Sequence, residues 1–191
     1  MALERQLLVT LGLGLSSSQK TLEEVPMQQD FDAQRVEGRW LTLQLASTDP
    51  DLVSPDDPLR VSLHSIWTSA DGDLGFLLFW RGEGVCHGLN VTVHPTELQG
   101  QYQGTFEAGD SVLVRVVGTD YQSLILYVQV KQDTKTTRLW ALLARTMSED
   151  HKWLGQYLEY VKQFHLEGAP VFNVDGPRGN PCSLDLNSQL L

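Results

Sequence analysis

An all-β domain followed by a single helix is the fold this sequence predicts. Three observations lead there. Short runs of strand-forming residues recur between residues 38 and 145, turn signals separate them at mostly hairpin-length spacing, and one helical repeat follows the last run. Eight strands at this spacing suit an up-and-down barrel or a sandwich. The run Val36-Glu37-Gly38-Arg39-Trp40 enters the first strand. A Gly-x-Trp in that place can open a closed barrel with the Trp plugging one end, or be an ordinary core Trp at a strand start.

The first strand runs over residues 39–46. Asp49-Pro50-Asp51 and Pro55-Asp56-Asp57-Pro58 then make residues 47–58 a long loop. Residues 59–68 alternate, with Leu59, Val61 and Leu63 on one face and Arg60, Ser62 and His64 on the other, as a half-buried strand does. Asp71-Gly72-Asp73 turns the chain into a strand over 74–80. Arg81-Gly82-Glu83-Gly84 turns it again into 86–93. A polar strand over 98–106 follows, and Glu107-Ala108-Gly109-Asp110 leads into 111–118, where Val112, Val114 and Val116 share a side. The stretch 121–130 is strongly β-forming, and Gln132-Asp133-Thr134-Lys135 turns it into the eighth strand, 136–145.

Ser148 is the expected N-cap of the helix, with Glu149 and Asp150 in its first turn, where the dipole favours acids. Leu154, Leu158, Val161 and His165 repeat at helical spacing beside Tyr157 and Phe164, and Gly168 ends the segment. Trp140 and Leu142 alternate with Leu139, Ala141 and Leu143, so both faces of the last strand are apolar and the helix is the expected outer cover.

The chain has 191 residues and a net charge of −10, enough length for one domain with a sizeable core. The acidity argues against nucleic acid, which is bound through Lys and Arg, and against anionic membrane surfaces. No apolar run approaches the ~20 residues of a spanning helix. Residues 7–15 are apolar, preceded by Arg5 and followed by Ser16, Ser17 and Ser18. This resembles a signal peptide cleaved near Ser18, the alternative being a strand or an apolar helix end. The division expected is a leader over 1–18 and one domain over 19–191, with barrel about 38–145, helix about 148–165 and tail 166–191. In a secreted chain the even pair Cys86 and Cys182 suggests one disulfide, and Asn90-Val91-Thr92 is a glycosylation sequon.

Three motifs now line up in order. Residues 30–40, ending in Gly38-Arg39-Trp40, resemble the opening motif of the lipocalins. Thr119-Asp120-Tyr121 resembles their second motif, and Leu143-Ala144-Arg145-Thr146, with its Arg at the end of the eighth strand, resembles their third. The resemblance covers about residues 27–183 and is closest to the β-lactoglobulin-like and epididymal types. It implies an eight-stranded antiparallel up-and-down barrel with the helix packed outside, and a bridge from Cys86 to Cys182. Trp40 would close the barrel base under the Arg145 guanidinium, and Gly38 would allow close backbone approach. Asp120 would accept amide donors from the turn before Gly38.

Alternation, together with that resemblance, gives the candidate inward residues: Leu59, Val61, Leu63, Leu74, Phe76, Leu78, Val91, Val93, Val114, Val116, Ile125, Tyr127, Leu139 and Leu143. The Tyr127 hydroxyl and Gln129 are the candidate polar anchors. Such an interior suits a small hydrophobic ligand: a fatty acid, retinoid, steroid or odorant. Large residues such as Phe76 and Tyr127 could instead fill the barrel. No cofactor is expected. His64, His87 and His94 match no zinc spacing, and Arg60 and Arg115 point outward by alternation, toward solvated surface. Trp67 and Trp80 lie near loops, with an entrance role and plain packing equally open. Glu107 and Asp110 are a solvated turn or, alternatively, a pH gate.

An enzyme is the first rival. One lipocalin branch uses a free thiol inside the barrel, but both cysteines here are committed to the bridge, and no Gly-x-Ser-x-Gly elbow occurs, so no catalysis is expected. The second rival is a glycosylated interaction protein acting through its outer surface or a cell-surface receptor.

Overall fold

The computed structural model describes residues 20–50, 61–82, 85–106, 109–146 and 150–166. Nine strands are present among them: β1 (Gly38–Arg39), β2 (Leu41–Ser47), β3 (Val61–Thr68), β4 (Leu74–Gly82), β5 (Val85–Pro95), β6 (Gln101–Thr105), β7 (Ser111–Thr119), β8 (Ser123–Gln132) and β9 (Lys135–Ala144). The ninth arises because the expected first strand breaks at Trp40. All pairings are antiparallel, in the order β1-β3-β4-β5-β6-β7-β8-β9-β2. The two ends of that order, β1 and β2, are consecutive pieces of one extended run. That run pairs with β3 on one side (Gly38↔Ile66) and with β9 on the other (Leu41↔Ala144), which closes the sheet into a barrel. At the break, Trp40 N donates to His64 O (2.9 Å) and Leu63 N donates to Thr42 Oγ1 (3.1 Å). A side chain thus stands in for a ladder bond where the strand swings between its two partners.

Two apolar clusters lie on either side of the barrel wall. The inner one joins Trp40, Leu45, Leu63, Ile66, Leu74, Phe76, Val91, Val93, Tyr102, Val114, Val116, Leu124, Leu126, Ala141 and Leu143. The outer one joins Leu43, Ala46, Val117, Ile125, Tyr127, Trp140 and Leu142 to Trp153, Tyr157 and Val161 of the helix α1 (His151–Gln163). The helix therefore covers the outside of β8 and β9, as the doubly apolar last strand requires. Tyr157 donates its hydroxyl to Trp140 O (3.2 Å), and Tyr160 stacks on the Trp140 ring at 5.4 Å. Gly118 admits the helix closely: a Cβ there would lie 3.0 Å from the Trp153 ring.

Several details differ from the sequence expectation. Asp150, not Ser148, caps the helix, its carboxylate accepting from Lys152 N (2.9 Å); residues 147–149 lie outside the described set. The helix ends at Gln163, before Gly168, with His165 in the left-handed region (φ 59°). Its buried stripe is Trp153, Tyr157 and Val161, whereas Leu158 is 45% exposed. The leader, residues 51–58 of the long loop, Leu59, Arg60, Glu107 and the tail beyond residue 166, with Cys182, fall outside the described residues.

The barrel base is held by one arginine. The Arg145 guanidinium lies 4.0 Å from the Trp40 ring centroid and donates to the carbonyls of Arg39 (2.9 Å), Arg35 (3.0 Å) and Tyr121 (3.3 Å). Trp40 itself is 1% exposed and donates its indole N–H to Val36 O (2.7 Å). Gly38 sits at φ 100°, a backbone that favours glycine, and a Cβ on it would also crowd Arg145 Nη1 at 3.3 Å. Replacing Arg145 by Ala should cost about 2–3 kcal/mol by urea denaturation, from the lost ring contact and charge-assisted bonds. Arg145→Lys should recover only part of that, because an ammonium cannot span three carbonyls as the planar fork does.

Candidate functional site

Above the base the barrel holds a cavity of about 230 Å³. Its lower wall comes from Thr42, Leu63, Phe76, Val91, Val114, Leu126 and Leu143, and its upper wall from Leu45, Leu78, Leu89, Phe106, Val112, Val128, Val130, Leu139 and Ala141. Leu89 and Phe106 are 45% and 39% exposed, which marks the rim at the end away from Trp40. Thr42 is the one polar side chain among the described residues of the wall. Its oxygen already accepts from Leu63 N, leaving the hydroxyl proton as the donor the lining can offer a ligand.

Of the residues expected inside, Leu63, Phe76, Leu78, Val91, Val114, Leu139 and Leu143 line this cavity. Leu74, Val93 and Val116 also face inward, but they pack the closed bottom with Leu124 and Trp40 and do not border the space. Among the described residues the lower half of the barrel is thus packed, and the cavity lies in the upper half. Val61 lies on β3, paired with Trp80 on β4. Leu59 lies outside the described residues.

Ile125 and Tyr127 do not face inward. They belong to the outer cluster under α1, and Leu126, Val128 and Val130 take the inward places on β8. A one-residue shift exchanges the faces of a strand, and here both faces are apolar, one against the cavity and one against the helix. Tyr127 meets the Trp140 ring edge-on at 5.2 Å and donates its hydroxyl to Gln129 Oε1 (3.1 Å), so neither anchor reaches the cavity. Thr42, Leu45, Leu89, Phe106, Val112, Leu126, Val128, Val130 and Ala141 were not among the expected lining residues. Val112 was legible from its alternation with Val114. Thr42 and Leu45 both face in, three residues apart, because the β2–β9 register shifts between Thr42 and Gln44.

The second motif ties three elements together. Thr119 Oγ1 donates to Ser123 O (2.6 Å) and accepts from Tyr121 N (2.8 Å). Tyr121 takes a left-handed backbone (φ 69°), stacks on Phe31 and lies under the Arg35 guanidinium at 3.7 Å. Asp120 does not serve the turn before Gly38. One carboxylate oxygen accepts from Gln122 N (3.0 Å) and Ser123 N (2.7 Å) and the other from Trp153 Nε1 (2.9 Å). It thereby caps its own turn and anchors the helix. Partial burial pushes its pKa upward, but the donors from Ser123, Gln122 and Trp153 outweigh this and hold it below the ordinary value.

Arg115 points outward as expected but is 5% exposed, not solvated. It donates to Val25 O (2.9 Å), Leu22 O and Gln101 Oε1 (2.7 Å), clamping the segment before the barrel onto its wall. His64 packs its ring edge against Phe79, and partial burial, then the charge of Arg39, lowers its pKa. His94 pairs with Asp73 at 2.8 Å, and His87 lies seven residues away along β5, roughly 23 Å at strand rise. Trp67 is 40% exposed on the outer face, away from the cavity. Asp110 accepts from Gln132 Nε2 (3.0 Å).

A closed antiparallel barrel with a packed floor and an apolar chamber above it is the calyx architecture. The comparisons with known proteins agree. The profile described as "Lipocalin / cytosolic fatty-acid binding protein family" matches residues 37–175, and the chain belongs to that family. It is 31% identical to human epididymal-specific lipocalin-9 over 63% of this chain and 68% of that one. It is 25% identical to horse uterocalin over 88% and 92% of the two chains, and 25% identical to horse beta-lactoglobulin-2 over 63% and 66%. Members of the family are in general non-enzymatic binders of small hydrophobic ligands.

The depressed carboxyl pKa of Asp120 gives a pH test. Its contribution to stability is present above the unfolded carboxylate value of about 3.9 and is lost as pH falls through the lower folded value. Asp120→Asn should therefore cost about 1 kcal/mol at pH 7, discounted for the exposure of the group. The gap from the parent should close below about pH 4, as read from urea midpoints across pH.

Proposed function

We propose that this protein is a secreted carrier that holds one compact hydrophobic molecule in the upper half of its barrel. The observation that carries the reading is the chamber itself. Among the described residues its wall is apolar but for Thr42, and its volume of about 230 Å³ lies below the usual range for ligand pockets, roughly 300–1,000 Å³. That size favours an odorant-like ligand, or a short or slender chain, over a bulky steroid. Thr42 is the natural partner for a single hydroxyl or carbonyl oxygen on the cargo. Arg145 and Asp120 are engaged in holding the base and are structural residues in this reading.

Secretion is supported by the apolar run at residues 7–15 and its following serines. It is also supported by the absence of a free cysteine among the described residues, which fits a Cys86–Cys182 bridge. Asn90 is exposed on β5, as a glycosylated residue must be. Intact mass of protein secreted from mammalian cells should give an N-terminus near residue 19 and no thiol reactive to alkylation under native conditions.

Titration with a small fluorescent hydrophobe such as 1-aminoanthracene tests the chamber. Saturable one-site binding is expected, and Ala141→Phe should abolish it by filling the space while far-UV circular dichroism stays that of the parent. Tyr127→Phe should leave affinity unchanged and cost about 1 kcal/mol of stability, because its hydroxyl bonds outside. Absence of saturable binding by a folded barrel would overturn the carrier reading. For a matched pair of ligands differing by one hydroxyl, Thr42→Val should erase about a five-fold preference for the alcohol, roughly one neutral hydrogen bond. Thr42→Ser should keep it.

A further inference from the structure

The outer face of β3–β5 lies opposite the α1-covered wall, and it carries an apolar surface that α1 does not reach. Trp67 on β3 faces outward, because its neighbour Ile66 faces the core. Its indole does not stand away from the sheet. It leans across β4 and lies over Gly75, its cross-strand partner; a Cβ on Gly75 would fall 1.7 Å from the ring. The bare glycine backbone thus makes room for an aromatic ring lying flat on the strand, yet Trp67 remains 40% exposed. Packing against Gly75 accounts for one face of the ring and leaves the other toward solvent.

The sequon lies on the same face. Leu89 and Val91 line the cavity, so Asn90 and Thr92 between and beyond them point outward, and both are exposed. The register sets the distances. Thr92 is directly opposite Gly75, and Asn90 directly opposite Leu77. Asn90 is therefore the diagonal neighbour of Gly75, about 7–8 Å away, and Gly75 is where the Trp67 ring rests. A sugar attached to Asn90 Nδ2 therefore starts on the same outer face, two residues along the β4–β5 ladder from the glycine on which the ring rests.

The geometry points to the N-linked glycan on Asn90 as the cover of this surface, with its first N-acetylglucosamine packed on Trp67 and Leu77. A pyranose ring presents a face of C–H groups that stacks on an aromatic ring, while its hydroxyls and N-acetyl group stay in water. The protein would then carry a hydrated cap over its exposed aromatic surface. The glycan serves as a structural part of the outer wall. This rests on the secretion reading above and not on the carrier reading, since neither Asn90 nor Trp67 touches the cavity.

The test uses the full chain secreted from mammalian cells, before and after removal of the glycan with peptide N-glycosidase. Intact mass should show Asn90 occupied. Deglycosylation should lower Tm by about 2–4 °C, the shift expected for a contact of this size in a domain of this length. The same treatment should produce no shift in Trp67→Ala, or in Gly75→Ala, which displaces the ring from the strand. In the parent protein, nuclear Overhauser contacts should join the N-acetyl methyl of the first sugar to the Trp67 indole, a readout that needs no variant. An unoccupied Asn90 in secreted protein would overturn the proposal, as would an equal Tm shift in the variants or the lack of those contacts in an occupied glycoform. Probe binding in the cavity should be the same in every one of these samples, which separates a failure here from a failure of the carrier reading.

Discussion

The Arg145–Trp40 contact is the constraint on which the rest of the structure depends. A barrel wall of alternating residues specifies an inside and an outside but does not specify a floor. Trp40 supplies the floor by turning its ring into the barrel axis, and that turn breaks the first strand in two. The two pieces share the pairing, β1 with β3 on one side and β2 with β9 on the other. Arg145 fixes the arrangement from below, binding carbonyls of the entering chain at Arg35 and Arg39 and of the β7–β8 turn at Tyr121. The guanidinium suits this place because it is planar, always charged and able to point donors in several directions at once.

Much of this base was legible in the sequence. Gly38, Trp40, Thr119, Asp120, Tyr121 and Arg145 are residue types whose special chemistry is needed at fixed points, so their order and spacing carry the fold. The partners were harder to read. Asp120 was expected to serve the turn before Gly38 but holds its own turn and the Trp153 indole, a choice settled by where the helix comes to rest. Arg115 looked like a surface cation by alternation and instead lies buried under the preceding segment, whose path no local pattern encodes.

The cavity wall was legible on β4 and β9 and reversed on β8. On β4 the outward places fall to Gly75, Leu77 and Phe79, so the inward run Leu74, Phe76 and Leu78 followed from the family resemblance as much as from alternation. On β8 the sequence Leu124-Ile125-Leu126-Tyr127-Val128 is apolar at every position, because the wall is covered by ligand space on one side and by helix on the other. Period-two reasoning has no contrast to work with there. Pairing with β9, where Leu126 meets Ala141 and Tyr127 meets Trp140, sets the faces, and that is a tertiary fact. The division between a packed lower half and an empty upper half was not visible either. It depends on how far Tyr102, Leu124 and Trp40 reach across the axis, a matter of side-chain volume in three dimensions.

The way the barrel closes also orders the events of its folding. The bonds from Arg145 to Arg39 and Arg35 join residues 106 and 110 positions apart, and Leu41 pairs with Ala144 across nearly the same span. Such contacts must wait for the loop between them to be made and drawn together, and they repay its entropy only at the end. The hairpins from β3 to β9 can form one after another as the chain emerges, each from local contacts. The seam that makes them a container forms last, after the final strand has arrived. Until then β2 and β9 both present bare edges, the condition in which an unfinished barrel is most exposed to pairing with a neighbour.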